Sequence, residues 1–254
     1  MDKLNSYGES PLFLACASND LIAVESLVRL GADVNMKCCA LLETVLHQAC
    51  LMKHNQMLEL LLSAKGADID AVNMHGWSPL HLAAQKADLG KVLCLLEHHA
   101  DVTVRSNRGD TPLFFSLHKI PGETGSVSAF PTLFEHISTT FELEAANEQL
   151  LQVNNKGENL LECAVRHRNC EALTILLESG LFDVKQRDQQ GRSLLHLSVI
   201  YAPDSDTLNY LLDSGLSPNE IDSDGNTPLM YFFKQLKVTP HMAVAGPSTP
   251  NVNV

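Results

Sequence analysis

Residues 76–83 read Gly-Trp-Ser-Pro-Leu-His-Leu-Ala, and variants of this stretch recur until the chain contains seven copies. The spacing of the first leucine is 33 or 34 residues in every interval but one. A glycine stands four residues before that leucine in every copy except the second, where Leu42 takes its place. A fixed period of this length indicates a repeat protein. The aligned leucines are Leu12, Leu46, Leu80, Leu113, Leu161, Leu195 and Leu229.

Each residue type in the repeat has a local structural task. The Ser or Thr before proline predicts a helix N-cap, because its side-chain oxygen can accept an orphan backbone N–H. Proline then occupies the first helical position, where its missing N–H costs nothing. A second helix is predicted from paired leucines further on. Its end is predicted by a glycine in the left-handed C′ conformation, at Gly31, Gly66, Gly180 and Gly215.

A second recurring segment, Gly31-Ala32-Asp33-Val34-Asn35, returns as Gly66-Ala67-Asp68-Ile69-Asp70. Together with the Ser/Thr-Pro-Leu-His-x-Ala pattern, it resembles the ankyrin repeat family over roughly residues 5–236. The resemblance implies an all-α solenoid of about seven helix-turn-helix units. It also implies short β-hairpin fingers between the helix pairs, and the last unit is incomplete.

The repeat spacing predicts one ankyrin domain over residues 5–237, followed by a disordered tail over residues 238–254. The tail is rich in Pro, Asn and small residues. The repeats are expected near 5–37, 38–72, 73–105, 106–153, 154–187, 188–221 and 222–237.

The fourth repeat carries an insertion over residues 120–152. A loop is predicted over residues 120–128, then a displaced second helix over 129–137. Thr139 and Glu142 have the spacing of a capping box for a further short helix. The insertion is either part of a binding face or a tolerated loop.

The last repeat presents Tyr231, Phe232 and Phe233 where a terminal repeat should be polar. Either the chain is a fragment of a longer protein, or a partner covers this end.

Composition excludes several classes of partner. The 254 residues are 45% apolar, enough for a core, and carry a net charge of -12. Such an acidic surface disfavours nucleic acid and anionic membranes. No signal peptide or membrane-spanning run is predicted. Seven cysteines, an odd number set in helical patterns, favour free thiols and a cytoplasmic or nuclear protein.

Two constellations could carry chemistry, and the repeat explains both. His47, Cys50 and His54, with Cys38 and Cys39 upstream, include zinc-ligand types. His47 and Cys50, however, occupy the motif histidine and a core alanine position.

Cys163 and His167 have the spacing of a pair on one helix turn, but a buried structural cysteine is the expectation. With no nucleotide or hydrolase motif, we predict no enzyme, catalytic residue, cofactor or metal.

The resemblance to ankyrin repeats also indicates a modification site. Leu27 lies eight residues before Asn35, which follows Asp33-Val34. This spacing resembles the target of the asparaginyl hydroxylase that acts on ankyrin repeats, so Asn35 is a possible hydroxylation site. The alternative is that Asn35 is only the family's common finger residue.

In ankyrin proteins the fingers and the exposed turn of the first helix line the concave face. The variable finger positions flank each turn glycine, as at Arg108 and Asp110 or Lys156 and Glu158. Exposed Trp, Tyr and Arg dominate interface energetics. Alternatively, Trp77 packs sideways and only stiffens a neighbouring finger. The predicted partner-binding residues are Tyr7, His75, Trp77, Gln85, Lys86, Arg108 and Asp110.

The resemblance and the absence of catalytic motifs predict a non-catalytic adaptor or scaffold that binds a protein partner through this face. The alternative is a regulatory or targeting segment of a larger multidomain enzyme or channel. Fold alone does not decide between them.

Overall fold

The computed structural model describes residues 2–118, 128–201 and 205–238, with side chains to Lys234. The predicted tail over 238–254 and loop over 120–128 therefore lie almost wholly outside the described residues. The helices are α1 Pro11–Ala17, α2 Leu21–Arg29, α3 Val45–Leu51, α4 Gln56–Leu62, α5 Pro79–Gln85, α6 Leu89–Glu97, α7 Pro112–Phe115, α8 Phe130–Thr140, α9 Leu143–Leu150, α10 Leu160–Arg166, α11 Cys170–Glu178, α12 Leu194–Tyr201, α13 Ser205–Asp213 and α14 Pro228–Val238.

The chain divides into two compact units, Met1–Asp183 and Val184–Val254. In the first unit, α1 packs on α2, α3 on α4, α5 on α6 and α10 on α11, which are the helix pairs of successive repeats. First helices also stack on one another in the order α1, α3, α5, α7. In the second unit α12 packs against both α13 and α14. The helix-turn-helix repeat expected from the sequence is confirmed.

The helix starts follow the sequence signals. Ser10, Thr44, Ser78 and Thr111 are the N-caps of α1, α3, α5 and α7. The Ser10 hydroxyl accepts from the backbone N–H of Phe13 at 3.1 Å. The C′ glycines have positive φ, as in Gly31 at 86° and Gly215 at 89°. Local capping chemistry therefore sets both ends of the helices.

Six of the seven aligned leucines, from Leu12 to Leu195, are buried in the stacks of first helices. The seventh, Leu229 in α14, is 59% exposed, since no helix of a following repeat is described beyond Val238. A buried leucine contributes about 1.5–3 kcal/mol, so these leucines supply much of the packing energy between repeats.

Buried histidines join one repeat to the next. His47 lies in the core with its Nδ1 3.2 Å from the Thr44 backbone N–H and its Nε2 2.8 Å from the Trp77 carbonyl oxygen. His81 makes the same pair of contacts, to Ser78 at 3.0 Å and to the Asp110 carbonyl at 3.1 Å. Each imidazole thus ties a helix N-cap to the finger of the following repeat.

The fingers are tighter than the β-hairpins that were expected. In the described residues, strand pairing is limited to single bridges, Cys38 with Glu43 and Arg187 with Ser193. Instead, a polar side chain organises the turn in every described finger except the second, where backbone bonds join Cys38 and Glu43. In the third finger, Asn73 Oδ1 accepts from the backbone N–H groups of His75 and Trp77. A turn closed in this way leaves too few residues for a ladder.

The insertion contains two helices, and the expected capping box between them is wrong. Helix α8 packs against α7 and α11, as a displaced second helix should, and α9 packs against α8. Thr139 belongs to α8, where its hydroxyl donates to the Glu135 carbonyl at 2.8 Å. Glu142 is the N-cap of α9. Thr139 bonds back within its own helix and so cannot cap the next one.

We predict that Gly109→Ala destabilises the protein by about 1–3 kcal/mol more than Gly31→Ala. Both glycines have positive φ, so alanine is strained at either position. Only at residue 109 would the added Cβ meet the next finger, 2.8 Å from the Asn155 backbone nitrogen. Urea unfolding of both variants measures the difference. Equal losses would show that the fingers are not in close contact.

Candidate protein-binding surface

The exposed tips of the five fingers in the first compact unit form one line of side chains. Each is the residue just before the turn glycine, or before Leu42 in the second finger. All five are exposed. We call this set the fingertip row: Tyr7, Leu41, His75, Arg108 and Lys156.

The fingertip row is continuous because one backbone hydrogen bond joins each finger to the next. In every case an N–H group of the later finger donates to a carbonyl oxygen of the earlier one, at 2.7–2.9 Å. Backbone bonds of this kind hold the tips in register whatever their side chains are. The four bonds run from Cys39 to Gly8, Met74 to Leu41, Asn107 to His75 and Asn155 to Arg108.

The residues that follow the turn position face a different environment. Glu9, Glu43, Trp77, Asp110 and Glu158 are all half-buried. Asp110 Oδ1 accepts from Asn154 Nδ2 at 3.0 Å, and Glu158 forms an ion pair with Arg166. The acidic residues at this position are therefore less exposed than the tips, and three of them, Glu9, Asp110 and Glu158, have internal partners.

A strip of aromatic and imidazole rings crosses the face formed by the third, fourth and fifth repeats. Trp77 lies between His75, at 5.1 Å between ring centroids, and Phe115, at 5.2 Å edge to face. Phe115 contacts His118 at 5.9 Å, and His118 contacts His167 at 4.0 Å. Phe115 is buried whereas His118 is exposed, so the strip joins the core to the surface.

The structure groups only part of the predicted partner-binding set. His75 and Trp77 touch, and the Trp77 ring packs on the next repeat while remaining half-exposed. Gln85 and Lys86 lie at the C-terminal end of α5. The seven residues of this helix place them about 10 Å from its start, where the finger joins it. Tyr7 lies two fingers before His75, and Arg108 lies one finger after it. Asp110 is turned inward.

Sequence reasoning missed several members of this face. Phe115, His118 and His167 were overlooked because they fall outside the finger positions. A phenylalanine at residue 115, where three other copies have leucine, was the available signal. Leu41 was passed over because Leu42 breaks the glycine pattern of its finger.

Leu42 is an unusual residue for its position. Its φ is +55°, in the left-handed region that the turn glycines occupy in the other fingers. The side chain is nevertheless 47% exposed, so burial offsets only part of the backbone cost. A non-glycine residue in this region costs about 1–2 kcal/mol.

Burial favours the neutral forms of two histidines and two cysteines in the repeat core. Burial lowers the pKa of His81 to about 4, and burial also lowers the pKa of His47. Burial raises the pKa of the Cys16 thiol to about 12 and raises the pKa of Cys50 further. Neutral imidazoles and protonated thiols of this kind serve as structural groups.

Cys163 and His167 were considered as a pair on one helix turn, but each side chain contacts a different residue. The Cys163 thiol lies 3.9 Å from Glu158 Oε2, and burial raises its pKa. The His167 ring lies against His118; burial, followed by the neighbouring charges, lowers its pKa to about 4. Across the described ranges, no group of three or more His, Cys, Asp or Glu side chains could hold a metal ion.

Asn35 connects the first finger loop to the second. Its Nδ2 donates to the Gly66 carbonyl at 2.8 Å, and its Oδ1 accepts from the Asp68 N–H at 2.8 Å. The carboxamide is half-buried and satisfied on both sides.

None of the described helices is long and apolar enough to cross a lipid bilayer.

Comparison with known proteins gives one family. The model of ankyrin repeats in three copies matches residues 1–73 and 46–140, which together cover more than half of the chain.

Curated relatives are much longer than this chain. BRCA1-associated RING domain protein 1 of Caenorhabditis elegans is 37% identical over 86 residues, or 34% of this chain and 12% of the relative. The L-asparaginase of Dirofilaria immitis is 28% identical over 236 residues, or 89% of this chain and 36% of the relative. The chain therefore spans about a third of these proteins or less.

The ankyrin repeat domain of Bcl-3, described as a member of the IkappaB protein family, is a structural neighbour. It has 25% sequence identity and a TM-score of 0.66, with 88% of this chain and 94% of that chain covered. The likeness extends over most of both chains.

We predict that acid lowers the free energy of unfolding because buried histidines must be protonated. An unfolded imidazole has a pKa near 6.5, whereas that of folded His81 is about 4. Below pH 6.5 the unfolded state therefore binds more protons, and stability falls until the pH reaches the folded pKa. The arithmetic gives a loss of about 2 kcal/mol between pH 7 and pH 5 for His81 alone.

The matched variant His81→Gln lacks this ionisable group. Urea unfolding at pH 7 and pH 5 should show a smaller acid loss for the variant than for the wild type, by about 2 kcal/mol. An equal loss in both proteins would contradict the buried, neutral assignment of His81.

Proposed function

We propose, since the chain belongs to the ankyrin repeat family, that it is a non-catalytic adaptor or scaffold that binds a protein partner. The ankyrin fold is typically an interaction module, and such repeats indicate protein partners. The partner surface is the face formed by the fingers and the first helices. The observation that carries the proposal is the continuous fingertip row beside a half-exposed tryptophan.

The arrangement of Trp77 suits a binding anchor. Its backbone carbonyl accepts from His47, and its ring rests edge to face on Phe115. The side chain is therefore held in one place before any partner arrives, which reduces the entropy cost of binding. Part of its large aromatic surface is still exposed, and such residues contribute strongly at interfaces.

Charged neighbours extend this anchor. His75 contacts the Trp77 ring, and Arg108 follows on the next fingertip. Tyr7 lies at the other end of the row. Gln85 and Lys86 belong to the lower part of the same face, at the end of α5. The proposed contact set thus combines an aromatic centre with polar surroundings, as interfaces commonly do.

A second candidate is that the repeats form a regulatory or targeting segment of a larger multidomain enzyme or channel. The length difference from the relatives supports this, because an L-asparaginase contains a matching region as only 36% of its length. Any catalytic activity would then belong to other domains. A longer transcript that encodes a further domain would support this candidate, and a transcript that encodes these residues alone would exclude it.

The seven free thiols, of which five are buried, support a reducing compartment. We therefore propose that the protein works in the cytoplasm or nucleus. The net charge of -12 argues against nucleic acid as the partner.

We predict that Trp77→Ala/Arg108→Ala removes the main protein partner in affinity capture from cell lysate. The double variant loses the anchor and an exposed charge. A control variant, Ile22→Ala/Arg29→Ala, removes exposed residues from the second helix of the first repeat. Captured proteins are compared by quantitative mass spectrometry, after thermal melting shows that all three proteins are folded.

Proteins retained by the wild type and the control but reduced at least fivefold with the double variant would place the partner on the finger face. Equal capture by all three would move the main site elsewhere, and the helices of the insertion would be the next region to test.

We also propose that Asn35 is hydroxylated. The Leu27-to-Asn35 spacing supports this, whereas the two hydrogen bonds of the carboxamide mean that its loop must open first. We expect peptides that contain Asn35, from protein isolated from cells, to show the mass gain of one oxygen atom. If most of the Asn35 peptide is unmodified, the proposal is rejected. An Asn35→Gln variant is the control, since its peptide lacks the asparagine that would be hydroxylated.

A further inference from the structure

We propose that the fingertip row binds an extended segment of a protein partner that is apolar at one end and acidic at the other. This inference rests on the proposed function, because it names the chemistry of the partner for the same face. The row changes character along its length. It begins with Tyr7 and Leu41, beside which Leu42 and Met74 are also exposed, and passes through His75 to two cations in the fourth and fifth fingers.

The apolar end consists of four side chains on neighbouring fingers. Tyr7 is 79% exposed, Leu41 42%, Leu42 47% and Met74 46%. The Met74 N–H donates to the Leu41 carbonyl at 2.8 Å, so the second and third tips are adjacent. Apolar side chains gathered in this way favour a partner that covers them with its own apolar side chains.

Leu42 is the strongest sign that this end has a use. Six of the seven turn positions carry glycine, and the second finger instead carries leucine at φ +55°. The core gains little from it, since about half of the side chain remains exposed. Backbone strain that internal packing offsets only in part points to an external contact.

The cationic end consists of Arg108 and Lys156. Both side chains are exposed, and the described hydrogen bonds hold these residues through backbone atoms. Burial is the largest cause of the lowered pKa of His167. The positive charge of Lys156 lowers this pKa further, so Lys156 lies near that imidazole. Two mobile cations on adjacent fingers can each receive a carboxylate from a partner.

The local charge contrasts with that of the whole protein. The net charge is -12, yet the fingertip row contains no carboxylate. The acidic residues nearest to its cations are Asp110, which receives a hydrogen bond from Asn154, and Glu158, which pairs with Arg166. The net charge of the protein disfavours an acidic segment in general, whereas the two adjacent cations at this end of the row attract one.

The spacing of the fingers sets the spacing expected in the partner. Packed helices of neighbouring repeats lie about 8–10 Å apart, and an extended polyproline-II segment advances about 3.1 Å per residue with three residues per turn, so side chains three residues apart share one face. Two carboxylates three residues apart would therefore reach Arg108 and Lys156 together. The apolar residues of the partner would lie further along the same segment, over His75 and the apolar tips.

A random-peptide display library selected against the full chain tests this assignment. We expect the enriched peptides to combine a cluster of apolar residues with Asp or Glu at a spacing near three residues. A parallel selection uses Arg108→Glu/Lys156→Glu, which reverses the cationic end and should enrich Lys and Arg in place of Asp and Glu. A control selection with Lys53→Glu/Lys65→Glu makes the same change in net charge on exposed residues outside the row.

The affinity of one enriched peptide is then measured by fluorescence anisotropy. We expect Arg108→Glu/Lys156→Glu to weaken binding at least tenfold and Leu42→Gly to weaken it about fivefold. Lys53→Glu/Lys65→Glu should leave affinity within twofold of the wild type. Leu42→Gly restores the residue found in the other fingers, so it relieves strain and its thermal midpoint should not fall by more than a degree or two.

The outcomes separate this inference from the proposed function. Enriched peptides that lose affinity with Trp77→Ala but lack the apolar and acidic halves would overturn the inference and leave the binding face in place. Acidic peptides that bind the charge-reversed and control variants equally would also overturn it. A selection that enriches no peptide on this face would overturn both.

Discussion

The rest of the structure depends on a buried imidazole that reaches from one repeat into the next. In His47 and His81, Nδ1 faces the N–H of the helix N-cap and Nε2 faces a finger carbonyl one repeat later. An N–H group can only donate, so Nδ1 must accept and Nε2 must carry the proton. One neutral ring thereby satisfies two backbone groups that burial would otherwise leave unpaired, and it fixes where the next finger leaves the core.

The imidazole holds the finger through its backbone carbonyl, so the finger side chain is not needed for this contact and can face the surface. Trp77 shows this arrangement, because His47 binds its carbonyl while its ring is left for the surface. Repeats that lack the histidine find other solutions, as where the side chain of Glu162 accepts from the Asn159 N–H at its own helix start. Since the tips are joined through backbone atoms, their side chains can vary without loss of the stack. That freedom is what allows an apolar end and a cationic end on one row.

Much of the fold could be predicted from the sequence because the repeat combines several local signals in one register. The caps at Ser10 and Ser78, the buried leucines and the C′ glycines all follow from local chemistry. The insertion was harder, because Thr139 could satisfy its hydroxyl within α8 as well as cap α9. The finger conformation was also misjudged, because a single Asn73 side chain replaces several rungs of a hairpin. At the surface, Trp77 was found by its residue type. Phe115 contacts Trp77, and His167 contacts His118, only through tertiary packing that no local pattern reveals.

The most direct test of this account is nitrogen NMR of the imidazole rings in isotope-labelled protein at neutral pH. Long-range spectra distinguish a protonated ring nitrogen from an unprotonated one and assign the two sites in each histidine. The account predicts that His47 and His81 are neutral and that the proton of each lies on Nε2. His196 makes the same contacts within the second compact unit, so its Nε2 should also carry a proton. Rings that are doubly protonated, or that carry the proton on Nδ1, would contradict the bond on which the finger positions depend.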